Sequence, residues 1–287
     1  MSIHILADSA CDLPLSYFSK NNLTFIPLNV HLEGKDYEDG ISIQSKTVYD
    51  AMRQGAAPKT SQASPEFFLK IFTELAQQNK QAIYVAFSSE LSGTYQTAVM
   101  IKEQVRADYP DFNLEIIDTK CASLGYGLVV KRAVELANTS DSKEEIIDKL
   151  NFHCKHMVHL FTVDNLEYLA RGGRVSKASA FVGGLLNIRP LLHVNDGKLV
   201  PLEKIHGRKK LLKRTLELIK ERGAQLDKQT LGISHGDDLK SALEWKNAIS
   251  EEFGTSSFDI ELIGSTVGAH AGPGTIAIFF LDEMPAN

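Results

Sequence analysis

The sequence is poor in cysteine and tryptophan: three of the first (Cys11, Cys121, Cys154) and one of the second among 287 residues. Three widely spaced thiols make a poor disulfide framework, which fits reduced cytoplasm. Apolar residues never run on long enough, at ~18 in a row, to span a bilayer, so no integral membrane segment is expected. The opening residues, MSIHILADSACDLP, have neither a basic start nor a long apolar stretch, so no secretory signal is expected and a cytoplasmic protein is read. Positive charge is not in excess. Lys and Arg number 31 against 36 Asp and Glu, a net −5, which argues against a general nucleic-acid binder. The basic run GRKKLLKR at 207–214 follows a helical amphipathic pattern and reads as a solvated face. Metal ligands are sparse too. His153, Cys154, His156 and His159 step by three across a helix-to-strand change, without the i, i+4 histidine pair or an acidic partner, so no metal and no cofactor are expected.

What is present is a large apolar fraction, 43%, enough for a substantial core. IHILA, LTFIPLNVHL, AIYVAF and NLEIIDT read as strands. SPEFFLKIFTELAQQ reads as a helix capped by Ser64 with Pro65 in its first turn, and further helices follow FSSELSGT and DTKCA. Strands alternating with amphipathic helices predict a mostly parallel sheet with flanking helices. Beyond SKEEIIDKLNFHCKHM, opened by the capping box of Ser142 and Glu145, the pattern changes. RPLLHVNDGKLVPLEKI predicts a hairpin around Asp196-Gly197, and HLFTV, TLGISHG, FDIELIG and TIAIFFL read as strands. The expected fold is α/β in two domains: residues 1–155 with the parallel sheet, and a smaller α/β domain with a mixed sheet over 156–287. A cleft between them is the default place for a ligand.

Three turns after first-half strands carry small polar groups: Asp8 and Ser9; Ser88, Ser89, Ser92 and Thr94; Asp118, Thr119 and Ser123. Two readings stand. Hydroxyls cap helix starts, and helix starts at one sheet edge also attract phosphate or carboxylate. PKTSQASP adds Thr60, Ser61 and Gln62, as a polar loop or as anion donors. IGSTVGAHAGPGTIAIFF reads as a glycine-rich loop around His270 between two strands, able to fold around something small. GISHG fits the G-x-S-x-G serine elbow, and Asp259 and His270 follow in hydrolase order, so a serine hydrolase using Ser234, His270 and Asp259 is the alternative function.

The ordered set DSACDLP, TSQASP, SSELSGTYQTA, DTKCASLGYG, LEYLARGGRVS, NIRPLL with DGKL, and GAHAGPGTIAIFF resembles the DegV family of bacterial fatty-acid-binding proteins over about residues 3–281. The resemblance implies two α/β domains with one long-chain fatty acid buried between and within them. It implies a carrier without a catalytic nucleophile of its own, presenting the acid to a separate fatty acid kinase that forms an acyl phosphate for phospholipid synthesis. On that analogy Thr60 and Ser92 hold the carboxylate, with Ser61 as a close alternative and His270 beside the same head group. Phe181, Val182, Leu185 and Leu186 are candidates to line the tunnel. Arg171, Arg174 and Arg208 are candidates to dock the kinase. Two positions depart from the family pattern: His206, where a basic residue is usual, and Leu124 in CASLGYG.

Overall fold

Period-two alternation builds the first sheet. In the computed structural model, which describes residues 3–139, 142–175 and 188–285, β1 (His4–Asp8), β2 (Thr24–Ile26), β6 (Ala82–Ala86) and β7 (Leu114–Asp118) form a parallel sheet in the order β2-β1-β6-β7. Leu6, Tyr84 and Ile116 face one side, where α3 (Pro65–Gln77) and α4 (Thr94–Asp108) cover them with Phe68, Phe72, Ala98 and Ile101. Ile5, Ala7, Ile83, Val85 and Ile117 face the other side, against α5 (Ser123–Asn138). Strands buried on both faces lose their polar alternation, which is why AIYVA is apolar throughout.

A mixed sheet of six strands follows, in the order β10-β9-β8-β13-β11-β12. It comprises β8 (Met157–Thr162), β9 (Ile188–Asn195), β10 (Lys198–His206), β11 (Leu231–His235), β12 (Phe258–Leu262) and β13 (Ile276–Leu281). Only β11 and β12 run parallel. The predicted hairpin joins β9 to β10, with Asp196 and Gly197 both at positive φ (46° and 78°), the backbone that Asp-Gly tolerates best. Leu218 and Ile219 of α8 (Arg208–Arg222) and Trp245 and Ile249 of α9 (Leu239–Phe253) pack on one face. Ala277 and Phe279 on the other face join the core around α5. Helix α5 is therefore a shared middle layer, and Gly127 gives it room: a Cβ there would sit 2.5 Å from the carbonyl oxygen of Cys11. The expected α/β class holds, with a parallel sheet first and a mixed sheet after it.

Two local readings are corrected. LTFIPLNVHL is not one strand. It breaks at Pro27-Leu28, and β3 (Asn29–Leu32) leaves the parallel sheet to pair with β4 (Lys35–Glu38) and β5 (Lys59–Ser61) in a separate three-stranded sheet. The glycine-rich stretch before the last strand is not all loop. Residues Ser265–Ala271 form α10, whose starting N–H groups are taken by two buried aspartate side chains: Asp12 accepts from Gly264 N at 2.8 Å, and Asp39 from Ser265 N and Thr266 N, each at 3.1 Å. Gly268 lets Tyr49 of α2 (Ser45–Arg53) approach to 2.5 Å from where a Cβ would stand.

Candidate functional site

Most hydroxyls at the parallel sheet's carboxyl edge are occupied by the fold itself. Asp8 accepts from Tyr84 Oη at 2.6 Å, Phe87 N at 3.0 Å and Ala10 N at 3.2 Å, and burial pushes its carboxyl up to about 6. Ser9 Oγ accepts from Leu28 N at 3.2 Å. Asp118 accepts from Ser89 Oγ at 2.5 Å and pairs with Lys120 at 3.1 Å, while Thr119 donates to Ala86 O at 2.8 Å. Ser88 donates to Gly197 O at 3.0 Å, tying the edge to the β9–β10 turn. These are structural contacts.

Ser92 is different. Its Oγ accepts from Thr94 N at 3.2 Å and lies 2.8 Å from Thr94 Oγ1, and the residue also borders a cavity of about 380 Å³. The walls are mainly apolar, among them Leu28, Phe87, Leu91, Phe161, Leu169 and Phe279. Thr60, Ser61, Gln62, Ser92, Arg174 and His270 supply polar lining. Thr60 Oγ1 and His270 Nε2 meet at 2.7 Å, joining β5 to α10. Gln62 Nε2 donates to Thr97 Oγ1 at 2.6 Å, and Gly93 leaves the space its side chain needs: a Cβ would fall 2.2 Å from Gln62 Oε1. Ser61 borders the cavity, but its hydroxyl lies 3.0 Å from His31 Nε2. Burial first, then the nearby charges of Arg174 and Arg171, lower the His270 imidazole to about 4. At neutral pH the ring is uncharged, a hydrogen-bonding group that adds no net charge.

Arg174, expected at a docking surface, borders this cavity and donates to Leu91 O at 3.2 Å and Gly172 O at 2.5 Å. Arg171 stacks over Tyr168 at 5.4 Å and lines a smaller cavity of about 240 Å³ with Lys59 on the other side of Thr60 and His270. Arg208 belongs elsewhere, held by Ser241 at 2.5 Å and Glu244 at 2.8 Å on α9. Phe181, Val182, Leu185 and Leu186 lie outside the described residues. His159, expected only in the histidine cluster, borders the same mainly apolar cavity, and burial lowers its ring to about 4. It accepts from Ala122 N at 3.3 Å, while His153 turns to Lys149 O (3.0 Å) and His156 to Asp282 (2.7 Å). The cluster is three separate contacts.

The hydrolase triad is not assembled. Ser234 is fully buried with its Oγ 2.8 Å from Ser123 Oγ, Asp259 pairs with Lys131 at 2.7 Å, and His270 is engaged by Thr60. Ser123 in turn donates to Asp12, so Ser234 ends a buried polar chain that holds the two sheets together. Among the described residues no histidine contacts its hydroxyl, so Ser234, His270 and Asp259 do not form a triad.

The DegV family model, described as an uncharacterised protein family, matches residues 2–283. The chain belongs to the DegV family. A DegV domain-containing protein of Clostridium perfringens is 36% identical over 282 residues, covering 97% of both chains. Among solved DegV structures, a fatty-acid-binding protein from Thermus thermophilus superposes with a TM-score of 0.87 at 29% identity, covering 97% of this chain and 99% of that one. DegV of Bacillus subtilis, a fatty acid binding protein, gives 0.85 at 29% identity, covering 97% and 98%. Among the described residues of this DegV chain, no helix is long and apolar enough to cross a membrane.

Proposed function

We propose that this protein binds one long-chain fatty acid, with its carboxylate among Thr60, Ser92 and His270 and its chain in the apolar cavity. The observation that carries the reading is the polar end of that cavity. Two hydroxyls and a neutral imidazole line the same mainly apolar cavity, and two of them, Thr60 and His270, meet at 2.7 Å. A carboxylate accepts hydrogen bonds, and these groups donate them without a fixed countercharge. Of the neighbours Thr60 and Ser61, Thr60 is the proposed ligand because it faces His270. The fatty-acid-binding DegV proteins of Thermus thermophilus and Bacillus subtilis support the same ligand class. Burying about sixteen carbons at roughly 0.8 kcal/mol per CH₂ contributes on the order of 10 kcal/mol, before the cost of ordering the chain.

The proposal includes a role as carrier in the cytoplasm. The protein would present the carboxylate to a separate fatty acid kinase for acyl phosphate formation. Arg171 and Arg174 beside the polar end, and Arg208 on the α8 surface, are the proposed docking cations, suited to an approaching phosphate. The test is denaturing extraction and mass spectrometry of what co-purifies with the protein. A near-stoichiometric long-chain acid, lost in the Thr60→Ala, Ser92→Ala double variant, is the expected result. A protein that is empty and takes up no added fatty acid would overturn the reading.

A further inference from the structure

The Thr60–His270 pair has a cavity on each side. Next to the mainly apolar one lies the smaller, about 240 Å³, whose walls include Tyr168, Arg171, Gly172 and Ala269. Thr60, Arg174 and His270 border both. The end of α7 draws the shared wall together. Arg174 donates to Gly172 O, and the Gly172 backbone packs so closely on His270 that a Cβ would fall 2.1 Å from Nδ1. His270 Nε2 in turn meets Thr60 at 2.7 Å. Charge distinguishes the smaller cavity. Among the described residues no Asp or Glu borders it, and neither Arg171 nor Arg174 pairs with a carboxylate. Arg174 uses two N–H donors on Leu91 O and Gly172 O, Arg171 lies over Tyr168 at 5.4 Å, and each guanidinium carries further donors. Behind burial, both charges lower the His270 ring, a mark of how near they stand. A single carboxylate held by neutral groups does not call for two such cations. A phosphate monoester does: it carries about −1.5 to −2 charge at pH 7, and its oxygens match the fork of a guanidinium.

We propose that the smaller cavity is a phosphoryl subsite, so that the protein holds a long-chain ligand with a phosphate head, its chain in the apolar cavity and its phosphoryl group at Arg171 and Arg174. An acyl phosphate has this form, with phosphorus one oxygen beyond the carbonyl carbon that sits among Thr60, Ser92 and His270. The inference rests on the fatty acid reading for the chain and goes beyond it. The two arginines grip the protein's own ligand, with no docked partner needed, and the carrier keeps the phosphorylated acid as well as the free one.

The experiment displaces a fluorescent fatty acid analogue from the protein alone, at neutral pH, with palmitate and with monohexadecyl phosphate, a stable ligand of the same chain length. The alkyl phosphate should bind at least as tightly as palmitate. Arg171→Gln should weaken the alkyl phosphate by about 10-fold or more and palmitate by no more than a few-fold. Arg171→Lys, which keeps the charge and loses the fork, should fall between wild type and Arg171→Gln. Thr60→Ala should weaken both ligands. Inorganic phosphate, against chloride at equal ionic strength, should weaken the alkyl phosphate and spare palmitate. An alkyl phosphate that binds far more weakly than palmitate, or one that responds to Arg171→Gln no more than palmitate does, overturns the phosphoryl subsite and leaves fatty acid binding standing. A protein that takes up neither ligand overturns the acyl cavity on which the subsite rests.

Discussion

Gly172 touches no ligand in the proposed site, yet a single methyl group there should weaken fatty acid binding. It is the last residue of α7 (Glu167–Gly172), and a Cβ built on it would stand 2.1 Å from His270 Nδ1 and 2.8 Å from Cε1. Carbon and nitrogen need about 3.4 Å, so the imidazole must retreat by roughly 1 Å. Nδ1 faces Gly172 and Nε2 faces Thr60, so the displaced ring is crowded against Thr60 or swung aside, and the 2.7 Å contact loses its hydrogen-bond geometry. A hydrogen bond to a charged group contributes about 1.5–3 kcal/mol, and one between neutral groups about 1 kcal/mol. Gly172→Ala should therefore raise the Kd for a long-chain acid by about 10- to 100-fold, measured by displacement of a fluorescent fatty acid analogue. Gly173→Ala is the control: no atom lies within 4 Å of its Cβ, but φ is +68°, so it should cost about 1 kcal/mol of stability and leave affinity alone. In a His270→Ala background Gly172→Ala should add nothing. Unchanged affinity in the single variant, or an undiminished loss in the double, would refute the reasoning.

Three further outcomes follow from the buried groups. His159, lowered to about 4 by burial, is neutral in the fold, so the unfolded chain takes up its proton first as pH falls below 6.5. Stability should drop between pH 6.5 and 4 by up to about 3 kcal/mol for this ring, and His159→Gln should flatten that limb in urea melts run across pH. Asp12 behaves in the opposite sense. Burial raises it to about 8, so its contribution is complete below 3.8 and is lost as pH rises through 8, and thermal melts of Asp12→Asn should decline less over that window. Gly127→Ala sets a methyl 2.5 Å from a backbone oxygen that cannot rotate away, and should cost about 1–3 kcal/mol in equilibrium urea unfolding.

The large elements were legible because their signals are local. Apolar strands β1, β6 and β7, the Ser64 and Ser142 caps and the Asp196-Gly197 turn each announce themselves within a few residues. The pieces that complete the site were not. Strand β5 is three residues, Lys-Thr-Ser, and exists only because β3 turns away after Pro27 to meet it. Helix α10 is short and rich in small residues, and its Gly268 serves contact with Tyr49 rather than a turn, so the same glycine that marks close packing reads as loop. Thr60 and Ser61 are adjacent in sequence, and only the strand's alternation decides which meets His270. The buried chain from Ser234 through Ser123 to Asp12 spans both sheets, and no spacing rule brings those residues together.

The break at Pro27 has one more consequence. Thr60 rides on the three-stranded sheet, Ser92 on the edge of the parallel sheet and His270 on α10, a helix capped by Asp12 and Asp39 and packed against α2. A head group held by all three is a rivet through a stack that the fold already joins at α5 and along the buried chain from Asp12 to Ser234. Filling the hole should stiffen the joint where the three meet. Occupancy should then be visible far from the cavity, as slower amide exchange in β3–β5 and as a single sharper melting transition whose midpoint climbs with the concentration of the acid.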